Sequence, residues 1–155
     1  MTEATDVNEV IEETISFADR ETQRKNISVR TELHVGLPPV NGDRVQLQQV
    51  LLNLMMNGIE AMAGPNIEPK QLVIRSAVPN PRELTVSIAD TGPGIDAELA
   101  GRLFDPFFTT KPQGIGMGLR ISRSIIEGHG GRLWAEKNEP RGAVFHFNLP
   151  IKTAS

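Results

Sequence analysis

Asn53 and Asn57 stand one helical turn apart in "VLLNLMMNGIEAM" (residues 50–62), a stretch otherwise apolar enough for the inside of a helix. A buried amide without a partner costs about 1–3 kcal/mol, so something must satisfy both. On a helix, Gln46, Gln49, Asn53, Asn57 and Glu60 fall within roughly 80° of one another. Such a narrow stripe fits a partly exposed face, or it floors a polar pocket. In a pocket the amide oxygens are hard, neutral ligands suited to Mg2+, which keeps several waters and is shared with substrate phosphates.

Two further stretches carry groups of matching chemistry. In "LTVSIADTGPGI", Leu84, Val86, Ile88 and Asp90 share one strand face, so the carboxylate enters the same apolar space as the aliphatics. A buried carboxylate needs donors; the exocyclic amino group of adenine, with ordered water, would supply them. Gly92 and Gly94 permit a tight turn and the close approach of a flat ring, although Asp, Gly and Pro also make ordinary strand-exit turns. In "KPQGIGMGLRIS", Gly114, Gly116 and Gly118 alternate directly before a helix. Glycine-dense backbone turns several N–H groups toward phosphate oxygens, and the helix N-terminus adds partial positive charge. Lys111 precedes them, in reach of a terminal phosphate. The stretch lacks the GK[ST] ending of a P-loop and follows no clear strand, so neither that fingerprint nor the dinucleotide one fits. Between the two stretches, Phe104, Phe107 and Phe108 surround Asp105-Pro106, either as a hydrophobic plug or as the hinge of a mobile lid.

The elements that must hold these groups follow from periodicity. Asp6 caps a first helix, with Glu9 in capping-box spacing, and Val7, Val10, Ile11, Thr14, Ile15 and Ala18 form its buried face. "ISVRTELHV" (27–35) alternates as a strand with Ile27, Val29, Thr31, Leu33 and Val35 on one side, and "GLPPVNGD" is a loop. Asp43 starts the asparagine-bearing helix, which runs to about Ala63. Residues 71–78 and 83–90 read as a hairpin, 96–103 as a short helix, 119–129 as a helix, and 131–137 and 142–150 as closing strands. Four or five strands beside three longer helices, without regular βαβ alternation, predict an α/β (α+β) two-layer sandwich with a mixed sheet.

Composition narrows the function. The 155 residues suit one domain with a sizeable core. A net charge of −3 and a pI near 5.6 argue against a general nucleic-acid binder. No cysteine is present, so there is no disulfide framework or thiolate chemistry. No apolar run approaches the roughly 18 residues of a membrane span, and "MTEATDVNEV" has no signal-peptide core. The expected location is the cytoplasm.

An Asn-bearing helix, then "DTGPGI", then "LFDPFFTTK", then "GIGMGL" resembles the four nucleotide-binding boxes of sensor histidine kinases, called N, G1, F and G2. The resemblance covers roughly Asp6 to Pro150. It implies the Bergerat ATP-binding fold of the GHKL superfamily, shared with gyrase, Hsp90 and MutL, with a mostly antiparallel sheet packed on three helices. By the same resemblance Asn57 is the Mg2+ ligand, Asn53 its partner beside metal and phosphates, and Asp90 the adenine-recognising group. Gly92, Gly94 and Ile95, then Phe104 and Phe107, then Gly114, Gly116, Gly118 and Leu119 line the nucleotide, with Lys111 at the phosphates. Hydrolytic relatives carry a Glu one turn before the metal Asn; here that position is Asn53, a poor base, which favours the kinase branch. The wording from "DPFFTTK" to "EGHGG" is most similar to PAS-linked, FixL-type sensors. Three positions depart from the pattern. Gly58 replaces the usual Ala, at up to about 1 kcal/mol of helix stability. Glu60 stands where many members have Lys or Arg, and Ile115 and Arg120 stand where Thr and Ser are common.

A histidine kinase needs a phosphoacceptor His in a His-Glu or His-Asp setting. His34 reads as a strand residue, His129 as a helix-end residue where a cation would suit the macrodipole, and His146 as outward-facing. None has the acceptor context. The expectation is therefore a single ATP-binding catalytic domain over residues 1–155 (core about 6–150), with phosphoacceptor and sensor domains elsewhere. It would donate the γ-phosphoryl group of Mg-ATP to a His on a separate dimerisation domain, ahead of a response regulator, and be monomeric in isolation. The alternatives are a hydrolytic ATPase of this fold, a Ser/Thr kinase or anti-sigma-type switch, and a nucleotide-binding interaction module without turnover.

Overall fold

The computed structural model describes residues 2–94 and 115–151. In chain order these form β1 (Glu3–Thr5), α1 (Val7–Arg24), β2 (Ser28–Glu32), β3 (Val40–Gly42), α2 (Arg44–Ala61), β4 (Gln71–Asn80) and β5 (Glu83–Ala89). Then come α3 (Ile115–Gly128), β6 (Leu133–Lys137) and β7 (Ala143–Pro150). The expected short helix at 96–103, the phenylalanines around Asp105-Pro106, Ile95, Lys111 and Gly114 lie outside the described residues.

One sheet has the order β2-β4-β5-β7-β6, in which only β2 and β4 run parallel. It is the mixed, mostly antiparallel sheet expected, with three helices beside it among the described residues. A second sheet was not foreseen: β1 pairs with β3 antiparallel, Thr5 opposite Val40. Three-residue strands are too short to show alternation, and their partners lie 35 to 39 positions apart. Most of "GLPPVNGD" remains loop, but its Val40 is buried.

Alternation puts Leu72 and Ile74 of β4, Leu84, Val86 and Ile88 of β5, and Phe145, Phe147 and Leu149 of β7 on one face. Against them α2 buries Leu47, Val50, Leu51, Leu54, Met55 and Ile59. This helix is apolar nearly all round because α1 packs along one flank and α3 along the other. Val45 is the departure, exposed at the first turn. β2 is shorter than its pattern suggested. It is an edge strand, Thr31 is exposed, and Val35 lies beyond it at 93% exposure.

Both caps form. Asp6 accepts from the Asn8 N–H at 3.0 Å and Asp43 from the Gln46 N–H at 3.1 Å. The capping box at Asp6 does not close, because Glu9 turns to Arg44, which also binds Glu13 at 2.6 Å and so ties α2 to α1. Ser76, buried in β4, donates to Asn8 Oδ1 at 2.8 Å and accepts from the His34 N–H at 2.9 Å. His34 thus sits just past β2 rather than in it. Arg75 and Arg30 share Glu32, and they hold its carboxyl below the ordinary range, Arg75's hydrogen bond first. A lowered carboxyl stabilises the fold above its unfolded value and stops doing so as pH falls through the folded one.

His129 departs from the reading of it as a helix-end cation. Its Nδ1 faces the Ile125 carbonyl at 2.8 Å, which only accepts, and its Nε2 faces the Asp43 N–H at 3.0 Å, which only donates. The ring is therefore the Nδ1–H tautomer, and it joins the end of α3 to the start of α2. His146 does face the outer side of the sheet. It stacks on Trp134 at 5.2 Å between centroids and bonds Ser87 Oγ at 2.7 Å and Glu136 Oε2 at 3.1 Å.

Replacing the α1 cap, Asp6→Ala, should cost about 1 kcal/mol. Urea denaturation should show a lower midpoint at unchanged slope.

Candidate functional site

α2 presents Asn53, Met56, Asn57 and Glu60 to a recess of about 120 Å³, closed on the far side by Gly118 and Leu119 of α3. Gln46 and Gln49 lie nearer the helix start and are exposed. The pocket floor is thus the lower half of the predicted stripe. Asn53 finds its partner in the protein: its Nδ2 donates to Ser122 Oγ at 3.2 Å and toward the Gly118 carbonyl at 3.4 Å. The amide nitrogen thus needs no ligand, and only its oxygen is left for one.

α3 begins at Ile115, four residues before the predicted start, so Gly116 and Gly118 belong to its first turn and not to a loop. The N–H groups that a helix leaves without intrahelical partners are those ahead of Gly118.

Asp90 lies immediately after β5 and is 2% exposed, beside the core as predicted. Its donors come partly from backbone. Oδ1 accepts from the Gly92 N–H at 2.9 Å and from the Ala143 N–H at 3.3 Å. The carboxylate is thereby held in a fixed direction whether or not a ligand is present.

Close packing brings Asp90 to the asparagines. A Cβ added at Gly58, next to Asn57, would lie 2.9 Å from Leu72 Cδ1 and 3.4 Å from Asp90 Cβ. Gly58 therefore lets α2 approach this corner of the sheet, which offsets its poor helix propensity. At Gly92 a Cβ would meet the Ala61 carbonyl oxygen at 2.8 Å.

Residues 138–142, between β6 and β7, brace the same turn and carried no signal beyond an ordinary hairpin. Asn138 Nδ2 donates to the Asp90 carbonyl at 2.8 Å, and Arg141 bridges the Thr91 and Glu68 carbonyls at 3.1 Å each. Gly142 has φ +108°, and a Cβ there would overlap the Asp90 carbonyl. Gly94, at φ +86°, approaches the Gly142 carbonyl in return.

The donor set suits a cation shared with phosphates. Among the described residues no group of three or more His, Asp or Glu side chains could hold a metal alone. Two amides and one carboxylate at a recess leave most of a coordination sphere to water and ligand, which is the habit of Mg2+.

This arrangement is that of a nucleotide-binding ATPase domain. The chain belongs to the histidine kinase-, DNA gyrase B- and HSP90-like ATPase family, whose model matches residues 42–153. Within it, sensor proteins and sensor histidine kinases are among the relatives. The chain is 42% identical to the sensor protein TdiS of Thauera aromatica, over 94% of this chain and 27% of that one. It is 43% identical to the sensor protein FixL of Bradyrhizobium diazoefficiens, over 93% and 28%. It therefore spans about a quarter of their length. The catalytic domain of histidine kinase ThkA superposes with a TM-score of 0.86 at 38% identity, covering 97% of this chain and 96% of that domain. A second ThkA structure, in complex with the response regulator protein TrrA, matches with a TM-score of 0.83 at 35% identity, over 97% of this chain and 42% of that one. The fold is that of a histidine kinase catalytic domain, and the expected FixL likeness is borne out.

Gly142→Ala should destabilise the domain by about 2 kcal/mol or more, since both its φ and the Asp90 carbonyl oppose a side chain. Thermal unfolding with and without a fluorescent ATP analogue should show both stability and affinity reduced.

Proposed function

We propose that this domain binds Mg-ATP between α2, α3 and the Asp90 turn and donates the γ-phosphoryl group to a histidine on a separate dimerisation domain. The observation that carries this is the single corner where the Asn53/Asn57 recess, the fixed Asp90 carboxylate and the glycine-bearing start of α3 meet. Asp90 would accept from the adenine amino group. Asn57 would ligate Mg2+ through its amide oxygen, with Asn53 beside it. The first-turn N–H groups of α3 would face the phosphates. Mg2+, when bound, would bridge phosphate oxygens and offset their charge.

Phosphoryl transfer relies mainly on positioning and electrostatics, so the chain itself need offer no covalent nucleophile. Asn53 supports transfer over hydrolysis. A neutral amide whose nitrogen is already committed to α3 cannot take a proton from water. Lys111 at the phosphates, Ile95, Phe104 and Phe107 around the nucleotide, and Gly114 in the lid complete the proposal from sequence. Residues 1–155 would then form one catalytic domain of a longer cytoplasmic kinase. A response regulator is the proposed downstream partner, as ThkA has been crystallised with one.

Asp90→Asn should weaken ATP binding by about 1.5–3 kcal/mol, the range for a hydrogen bond to a charged group. Unchanged affinity in calorimetry would remove Asp90 from the adenine site. Asn57→Ala should abolish transfer of label from ATP to an added dimerisation domain while circular dichroism stays unchanged. A wild-type transfer rate would contradict the metal assignment.

A further inference from the structure

We infer that Ser122 is a positioning residue, holding the Asn53 side chain against α3 by its nitrogen so that its oxygen faces the metal-and-phosphate recess. The inference rests on the reading of Asn53 and Asn57 given above.

Ser122 lies in the middle of α3 with no exposed surface. Serine is a poor helix-interior residue, and burying its hydroxyl is costly unless it is bonded. Its partner is the Asn53 amide, 69 positions away in the chain. A carboxamide has nearly the same shape when its oxygen and nitrogen exchange places, so the choice of end falls to its partners. Here one partner is the Gly118 carbonyl, which can only accept. Reversal would set two oxygens against each other. The Gly118 contact is long at 3.4 Å, and the Ser122 bond at 3.2 Å is the shorter of the two. Gly118 therefore sets the sense of the amide and Ser122 holds it there.

With the nitrogen so engaged, Asn53 Oδ1 meets no donor among the described residues, while Asn53 lines the recess with Asn57 and Glu60. Both partners of the nitrogen belong to α3, the helix that opens with Gly116 and Gly118. A displacement of α3 along α2 would therefore release the amide. Ser122 links the placement of the phosphate-facing helix to the coordinating face of α2.

The test uses Ser122→Ala, which deletes the hydroxyl, and Ser122→Cys, which keeps the volume with a weaker partner. Each is 15N-labelled, and its affinity for a nonhydrolysable ATP analogue is measured with Mg2+ and with EDTA. Ser122→Ala should move the Asn53 side-chain amide resonances without nucleotide. It should also weaken Mg2+-dependent binding about fivefold, the size of one neutral hydrogen bond. Affinity in EDTA should change less than about twofold, because Asp90 is untouched. Ser122→Cys should fall between Ala and wild type. Unmoved resonances, or equal losses with and without Mg2+, would overturn the inference. Asn57→Ala runs in parallel. If it keeps the Mg2+-dependent gain, the metal reading fails and this inference with it. If it loses that gain while Ser122→Ala keeps it, only the positioning role fails.

Discussion

Helix α2 lies against the exit of β5 with little room for side chains at two positions. At residue 58 a Cβ would press Leu72 and Asp90, and at residue 92 it would strike the Ala61 carbonyl. The two glycines set the spacing between the helix that bears Asn53 and Asn57 and the turn that bears Asp90. Were α2 to ride further from the sheet, the amides and the carboxylate would no longer share a corner. The core enforces the approach from the other side, since Leu54, Met55 and Ile59 are fully buried between α2 and the sheet.

The polar groups at this corner are restrained by protein before any ligand arrives. Oδ1 of Asp90 is held by two backbone N–H groups, and its carbonyl by Asn138. Asn53 is held by α3. Preorganised groups lose little freedom on binding, so more of the interaction energy appears as affinity and orientation. That suits a site whose chemistry depends on where a phosphorus atom is placed more than on any group that attacks it.

What was legible in the sequence was local. Periodicity revealed α1, α2, both caps and the face shared by Leu84, Val86, Ile88 and Asp90, because each depends on neighbours in the chain. The family boxes identified the nucleotide chemistry. What escaped depended on contacts between distant segments. Ser122 looked like an unremarkable helix residue, and Gly142 like one turn glycine among several. Asn138 and Arg141 carry no motif, yet they hold the Asp90 turn from about 50 positions away. β1 and β3 are too short to announce themselves. His129 misled for the same reason: a helix terminus suggests a cation, but the decisive neighbour is the Asp43 N–H on another helix.

The outer face of the sheet carries a different kind of contact. There Trp134 lies between the guanidinium of Arg132, 4.7 Å from its centroid, and the ring of His146. It is the only tryptophan in the chain. Its two strand neighbours, Leu133 and Ala135, turn inward to the core while the indole turns away. Native ultraviolet emission from this domain therefore originates on the side of the sheet remote from α2. Any change in that emission on adding nucleotide would be a signal carried through the strands, which makes the indole a built-in optical gauge of how rigidly the two faces are joined.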